Sequence, residues 1–258
     1  MNVGDTTNTW NTVTSNTNWK DSLNADQYFA NGDTVAFANT VNCVTVNKIV
    51  KVVGTGVTAN GINITGTDFS FSGGNINATT MTVGSSASAT FENTVVMAGT
   101  NALINAGTVN LAAGSNVNRI DNRGTLNFTA TGAYTHSGVI TGAGAINKDT
   151  AGTLTLDGTY TGVNGTFNQD DIGSVVNLSK TWGGNYNQVS VTFNSNVVNV
   201  AIDGNASFSG TVNINDGNVG TLNVGSLKLS SATINMTLGV SANDLIKSTG
   251  ALTASGTN

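Results

Sequence analysis

The chain has 258 residues, of which 14 are acidic and nine are Lys or Arg, giving a net charge of −5. Only 9% of residues are charged, against roughly 25% in an ordinary soluble domain; proline is missing, and Asn (39), Thr (40) and Gly (32) dominate. This composition excludes a disordered chain, which favours Pro, Glu and Lys. It also excludes collagen, which needs Gly at every third residue, and a nucleic-acid binder, which needs a concentrated basic face.

In chain order, residues 1–40 read as an N-terminal capping segment. They hold Trp10, Trp19 and the pair Tyr28-Phe29, and they contain no repeat. Met1-Asn2-Val3-Gly4-Asp5 has neither the basic nor the apolar region of a secretory leader, so either a leader has been removed or export uses other information. Asp21 to Ala30 is the one segment expected to carry a helical turn. From residue 41 to 258 the chain alternates apolar residues with Thr, Asn or Ser, as in Val44-Thr45-Val46, Ile62-Asn63-Ile64, Thr125-Leu126-Asn127-Phe128, Thr153-Leu154-Thr155-Leu156 and Thr211-Val212-Asn213-Ile214. Each stretch puts every second side chain on one face, as in a half-buried strand. Gly, Asn or Asp ends nearly every one. No apolar run approaches the roughly 20 residues of a membrane-spanning helix.

Repeats select the architecture. Asn105-Ala106-Gly107-Thr108-Val109-Asn110-Leu111 returns as Asn122-Arg123-Gly124-Thr125-Leu126-Asn127-Phe128, 17 residues later. Related Gly-Thr-apolar units sit at residues 152–156, 210–214 and 220–224. Imperfect repeats of this kind predict an all-β, right-handed parallel β-helix whose coils stack on their neighbours, one continuous domain over residues 41–258. Val, Ile, Leu and Phe are expected inside, Thr outside, Asn at the bends, where it can ladder between coils, and Gly at the remaining turns. The lack of proline fits coils that exchange hydrogen bonds on both sides. A β-sandwich is the alternative. Ala251 to Asn258 contain no obvious cap, so that end reads as the boundary of a piece or as a surface that meets another chain.

The stretch from Gly142 through Ile146-Asn147-Lys148, Gly152-Thr153-Leu154-Thr155-Leu156 and Tyr160-Thr161-Gly162 resembles the passenger-associated repeat of autotransporter passenger domains, G-x-G-x-L-x-K-x-G-x-G-T-L-T-L-x-G-x-x-x-Y-T-G. It departs from that form at Asn147 to Thr150 and in a shortened Tyr loop. Trp10, Asn18-Trp19, Asn31-Gly32-Asp33-Thr34-Val35-Ala36-Phe37 and Phe69-Ser70-Phe71-Ser72-Gly73-Gly74 resemble the start of such passengers. Asn243 to Gly250 resembles the coils near their C-terminal end. The resemblance implies a secreted bacterial β-helix at the cell surface or outside the cell, normally followed by an outer-membrane barrel. The implied role is non-catalytic adhesion to a glycan or protein of a host or neighbouring cell. The Asn/Thr/Gly-rich style is shared with crystalline surface-layer proteins, so a self-assembling subunit that binds further copies of itself is the alternative. A polysaccharide-degrading β-helix enzyme is a third reading.

Few residues suggest chemistry. The only histidine, His136, is expected in a surface loop, since one histidine without cysteines nearby cannot complete a metal site and no G-x-S-x-G elbow is present. Asp170-Asp171 is the one adjacent acidic pair, and in a strand its two side chains would point apart. Asp149, Asp157, Asp203, Asp216 and Asp244 read as turn aspartates. Arg119 and Arg123 flank Asp121, which suits a surface ion pair or an anion contact. Cys43 reads as a strand residue, and irregular Thr-x-Thr pairs argue against ice binding. The best recognition candidate is Trp182, Asn185, Tyr186 and Gln188, read as an inserted loop whose rings could stack on a sugar while the amides bind its hydroxyls. No catalytic residue, metal or cofactor is expected.

Overall fold

Thr, Val, Ile and Phe favour extended backbone, and the frequent Gly and Asn cut that backbone into short segments. A computed structural model describes residues 9–256 except 16, 24, 42–43, 46–47, 93, 98–102, 113–115, 170–172, 189–191, 196–198, 215–218 and 239–241. The fold is a parallel β-solenoid of about eight turns, without helix among the described residues. By its contacts the chain divides into two compact units, Met1–Leu126 and Asn127–Asn258.

In the first unit, strands Thr9–Trp10 and Thr34–Phe37 pair in parallel with the long strand Ile49–Ile64. The ladder therefore already runs through the segment expected to be a separate cap. Ile49–Ile64 pairs in turn with Phe69–Val83, and that strand with Ser88–Phe91, Val95–Met97 and Leu103–Asn105. Thr108–Leu111, Asn116–Val117 and Arg119–Asn122 form the next layer. Aromatic rings fill the first coils. Trp10 is fully buried, with the Trp19, Phe29 and Phe37 rings 5.3–5.6 Å from its own, and Phe71 stacks on Phe91 at 4.9 Å.

Two pairings in the first unit are antiparallel. Thr40–Val41 folds back on Val44–Thr45. Trp19–Lys20 pairs with Asp26–Gln27 where a helical turn was expected. The cause is Asp21, whose Oδ1 accepts the Leu23 and Ala25 N–H groups at 2.9 and 2.8 Å. That side chain offers the backbone a tight turn in place of a helix.

In the second unit, one face is a six-stranded parallel sheet made of Tyr134–His136, Gly152–Leu156, Ser174–Leu178, Thr192–Ser195, Thr211–Ile214 and Thr233–Asn235. The other strands include Ala145–Lys148, Thr166–Gln169, Asn185–Gln188, Asn199–Phe208 and Thr221–Ser230, again paired in parallel. In this unit opposed residues in adjacent coils lie from 17 positions apart (Val176 and Phe193) to 25 (Leu227 and Leu252).

Apolar residues point inward at alternate positions, as the alternation predicts. Phe167, Phe193, Val212 and Leu222 are all fully buried. Asparagine departs from expectation. Many sit mid-strand on the outer face, where their amides bond from coil to coil: Asn147 Nδ2 donates to Asn127 Oδ1 at 2.8 Å, and Asn168 Nδ2 to Asn147 Oδ1 at 2.9 Å. Two, Asn105 and Asn122, are buried opposite each other and joined by a 2.9 Å hydrogen bond. In-register stacking places like amides together.

The bends belong to glycine. In the second unit Gly144, Gly165, Gly184, Gly204, Gly225 and Gly250 follow one another from coil to coil, and a Cβ on each of the last five would press on backbone of the glycine before it. On Gly165 it would overlap the Gly144 carbonyl oxygen. Gly132, by contrast, has open space where its Cβ would stand. Gly165→Ala is therefore expected to lower stability by about 1–3 kcal/mol, and Gly132→Ala to change it by less than about 0.5 kcal/mol, in chemical denaturation.

Candidate functional site

The segment expected to be an inserted recognition loop is interior structure. Asn185–Gln188 is a regular strand in register with Thr166–Gln169 and with Ala206 to Phe208. Trp182 bridges Tyr160 and Ile202 in the neighbouring coils and is 0% exposed. Its indole N–H donates to the Asn185 carbonyl at 3.1 Å, and its ring packs on Tyr160 and Phe167. Tyr186 lies parallel to Phe167, with centroids 5.1 Å apart. Neither ring leaves a face for a sugar. Asn185 alone reaches the outer side, where its Oδ1 accepts the Asn205 N–H of the next coil.

Gln188 belongs to a buried polar column that the alternation of the sequence implies. In the strands ending at residues 148, 169 and 188 the final side chain points inward, and Lys148, Gln169 and Gln188 stand opposite one another in register. Each ties down backbone, in its own coil or in a neighbouring one. Gln169 Nε2 donates to the Ser174 carbonyl at 3.2 Å, and its Oε1 accepts the Tyr186 hydroxyl at 2.8 Å. Gln188 donates to the Thr211 carbonyl at 3.0 Å. The Lys148 ammonium donates to the carbonyls of Ala130 and Ala151, both at 3.1 Å, to Thr150 Oγ1 at 2.7 Å and to the Thr150 carbonyl. Its three protons thus meet a cage of oxygens, which is what allows a buried ammonium.

His136 is also interior, against the expectation of a surface loop. It stands on the strand Tyr134–His136, opposite Leu156, beside Phe128 and Tyr160. The Tyr160 hydroxyl accepts the Gly158 N–H at 2.8 Å and donates its one proton to the His136 carbonyl at 2.6 Å. His136 Nδ1, 3.1 Å from the same oxygen, must then be the protonated nitrogen and the donor. The side chain pins one coil to the next.

Arg123 pairs with Asp121 through Nε at 3.0 Å, the ion pair the sequence suggested. Asp157 faces Lys180 at 3.8 Å, and Asp244 is buried, accepting the Gly220 N–H at 2.6 Å and the Thr237 N–H. Cys43, Asp170, Asp171 and Asp216 lie outside the described residues. Among those described, no three His, Cys, Asp or Glu side chains gather as a metal site.

The place that does open to solvent with mixed chemistry was not singled out by the sequence. A cleft of about 390 Å³ lies in the first unit, between the hairpin Trp19–Lys20/Asp26–Gln27 and the strand Thr34–Phe37. Tyr28, 45% exposed, lines it together with Asp21, Asp33, Lys20, Gln27 and Ser22, over the buried Phe29 and Val35. Lys20 is neutralised by Asp26 at 2.6 Å. The Ala25 N–H, chiefly, holds the Asp21 carboxyl below the usual carboxylate range against desolvation, the next largest influence, and the Leu23 N–H, Gln27 and Lys20 add to the lowering. The only hint in the sequence was negative: this segment is polar and aromatic and lies outside the repeats.

Fold and sites together define a parallel β-solenoid with interior polar ties and one mixed cleft beside its first coils. The chain matches no family model, no curated protein and no solved structure.

Two outcomes follow from the interior ties. Lys148→Met removes a charged donor shared by several oxygens, and hydrogen bonds to charged groups contribute about 1.5–3 kcal/mol each. The variant is expected to lose about 3 kcal/mol in chemical denaturation. Burial, the largest influence in each case, pushes the phenols of Tyr134, Tyr160 and Tyr186 well above the ordinary tyrosine value. A raised pKa means that the neutral form is favoured by folding. That contribution is complete below about pH 10, where a tyrosine of the unfolded chain ionises, and is lost as the pH rises beyond it. In an absorbance titration near 295 nm, three of the four tyrosines should ionise only together with unfolding.

Proposed function

We propose that this chain is a non-catalytic surface-interaction protein of bacteria, acting outside the cell in the manner of an autotransporter passenger. One observation carries the reading: the outer faces of the solenoid carry columns of uncharged amides and hydroxyls held in register, with few charges among them. Asn147, Asn168 and Asn187 stand in one column, and Asn213 and Asn235 in another, where the two amides bond to each other. Strand spacing sets such groups about 4.8 Å apart. Many weak hydrogen bonds to a hydroxyl- or amide-rich surface can then act together, each too weak to bind by itself. The repeat-like stretch from Gly142 to Gly162 adds to this reading through its resemblance to passenger repeats.

Contacts between uncharged groups are not screened by salt. Retention of the purified chain on bacterial or host cells, or on immobilised glycans, should therefore change less than about twofold between 0.05 and 0.5 M NaCl. Loss of retention over that range, or no retention at either end, would overturn the proposal.

Self-assembly is favoured by a different observation. Near residue 240 and beyond, Leu238 is 80% exposed and Leu252 65%, with Met236 and Leu245 also open. Apolar surface of this kind is typical of contact sites, and a second copy would cover it. Light scattering at rising concentration separates the readings: particles of constant mass support the adhesive monomer, and ordered growth supports assembly.

A further inference from the structure

The cleft beside the first coils is separate from the amide columns and has chemistry of its own. We propose that it is a binding site for a neutral sugar, about one or two rings in size, which suits its volume of about 390 Å³.

A pyranose has an apolar face of C–H groups and a rim of hydroxyls that both donate and accept. Its apolar face needs an aromatic wall, and Tyr28 supplies one, its side chain 45% exposed at the cleft. Its hydroxyl protons need acceptors held in place. Asp21 and Asp33 are such acceptors, because backbone amides fix both carboxylates before any ligand arrives. Asp21 Oδ1 accepts from Leu23 and Ala25, and Asp33 Oδ2 accepts the Ala30 N–H at 2.8 Å. Among the described residues that bond uses only one oxygen of Asp33, and the other is left for a ligand hydroxyl. Gln27 gives its Nε2 to Asp21 at 3.2 Å, which orients its Oε1, and Ser22 adds a hydroxyl that can donate or accept.

The loop behind these groups is fastened to the solenoid. The Gly32 N–H donates to the Thr58 carbonyl at 2.8 Å, the Thr58 N–H to Asn31 Oδ1 at 3.0 Å, and the Asn60 N–H to the Asp33 carbonyl at 2.9 Å. The site is therefore preorganised, which limits what binding must spend on ordering. Charge selects the ligand class. Asp21 and Asp33 outnumber Lys20 in the described lining, which disfavours anionic sugars and phosphates, and Lys20, bound to Asp26, keeps the rim from acting as a plain cation trap.

The test uses the whole chain and four probes, the methyl glycosides of glucose, galactose, mannose and N-acetylglucosamine, by saturation-transfer NMR and calorimetry. At least one should bind saturably in the millimolar range. Tyr28→Ala and Asp33→Asn should each weaken it about tenfold, whereas Tyr28→Phe, which keeps the ring, should stay within about threefold. Asp33→Asn retains an oxygen for Ala30, and Tyr28 is half exposed, so the melting transitions should match that of the parent chain. Lack of saturable binding by all four glycosides overturns the assignment. So does binding that survives both Tyr28→Ala and Asp33→Asn, or displacement of the glycoside by tetramethylammonium. The experiment involves no cells and no amide column, so it can fail while the adhesion reading stands, and the reverse also holds.

Discussion

The structure depends on one interaction, the parallel backbone ladder between successive coils. In this fold alternate residues of a strand turn both N–H and C=O toward one neighbouring coil and the residues between them toward the other, so its partners are fixed some 20 residues away along the chain. Proline would interrupt the ladder wherever it stood, and the sequence has none. At the corners the same stacking brings backbone onto backbone, and from Gly144 to Gly225 the space above each corner is too small for a Cβ. The composition that looked unusual as a list is a set of requirements imposed by register.

Register also decides what happens to polar side chains. Because like positions stack, an asparagine on the outer face meets another one and the two amides bond, as Asn127, Asn147 and Asn168 do. Because strands alternate, some polar residues must face inward, and these are stable only where the coil offers partners. Lys148 and Gln169 meet that condition by turning back onto carbonyls that follow them, and Gln188 by reaching the Thr211 carbonyl of the next coil. Tyr160 and His136 meet it by sharing one hydroxyl between two coils. These groups look like catalytic or binding residues by type, and the geometry makes them fasteners.

Chemistry directed at a partner must then come from what the ladder leaves uncommitted. Among the described residues two polar surfaces fit that description. One is the set of outer amide and hydroxyl columns, a property of the repeats. The other is the cleft lined by Tyr28, Asp21 and Asp33, which exists because an Asp21-directed hairpin departs from the repeats and leans on the strand Thr34–Phe37. The first offers many equivalent weak contacts, and the second offers one fixed constellation.

The sequence by itself determined the class of fold and the facing of its strands. Thr-x-Asn alternation such as Thr211-Val212-Asn213-Ile214 has a period of two and can mean little else, and all of its apolar members are buried. Repeats at 17 residues and more pointed to stacked coils, since only a neighbour of the same kind can bury such short strands. The sequence could not tell which face a unit occupies: the Gly-Thr-apolar unit at residues 152–156 lies on the six-stranded sheet, while its near copy at 107–111 pairs with Ser88–Phe91. Nor could it tell that Trp182, Tyr186 and His136 lie inside. Their exposure depends on which residues the next coil sets against them, here Ile202, Ala206 and Leu156. The cleft lay deepest of all in tertiary structure, because Tyr28 and Asp33 become one site only when a turn held by Asp21 packs beside a strand already fixed in the ladder.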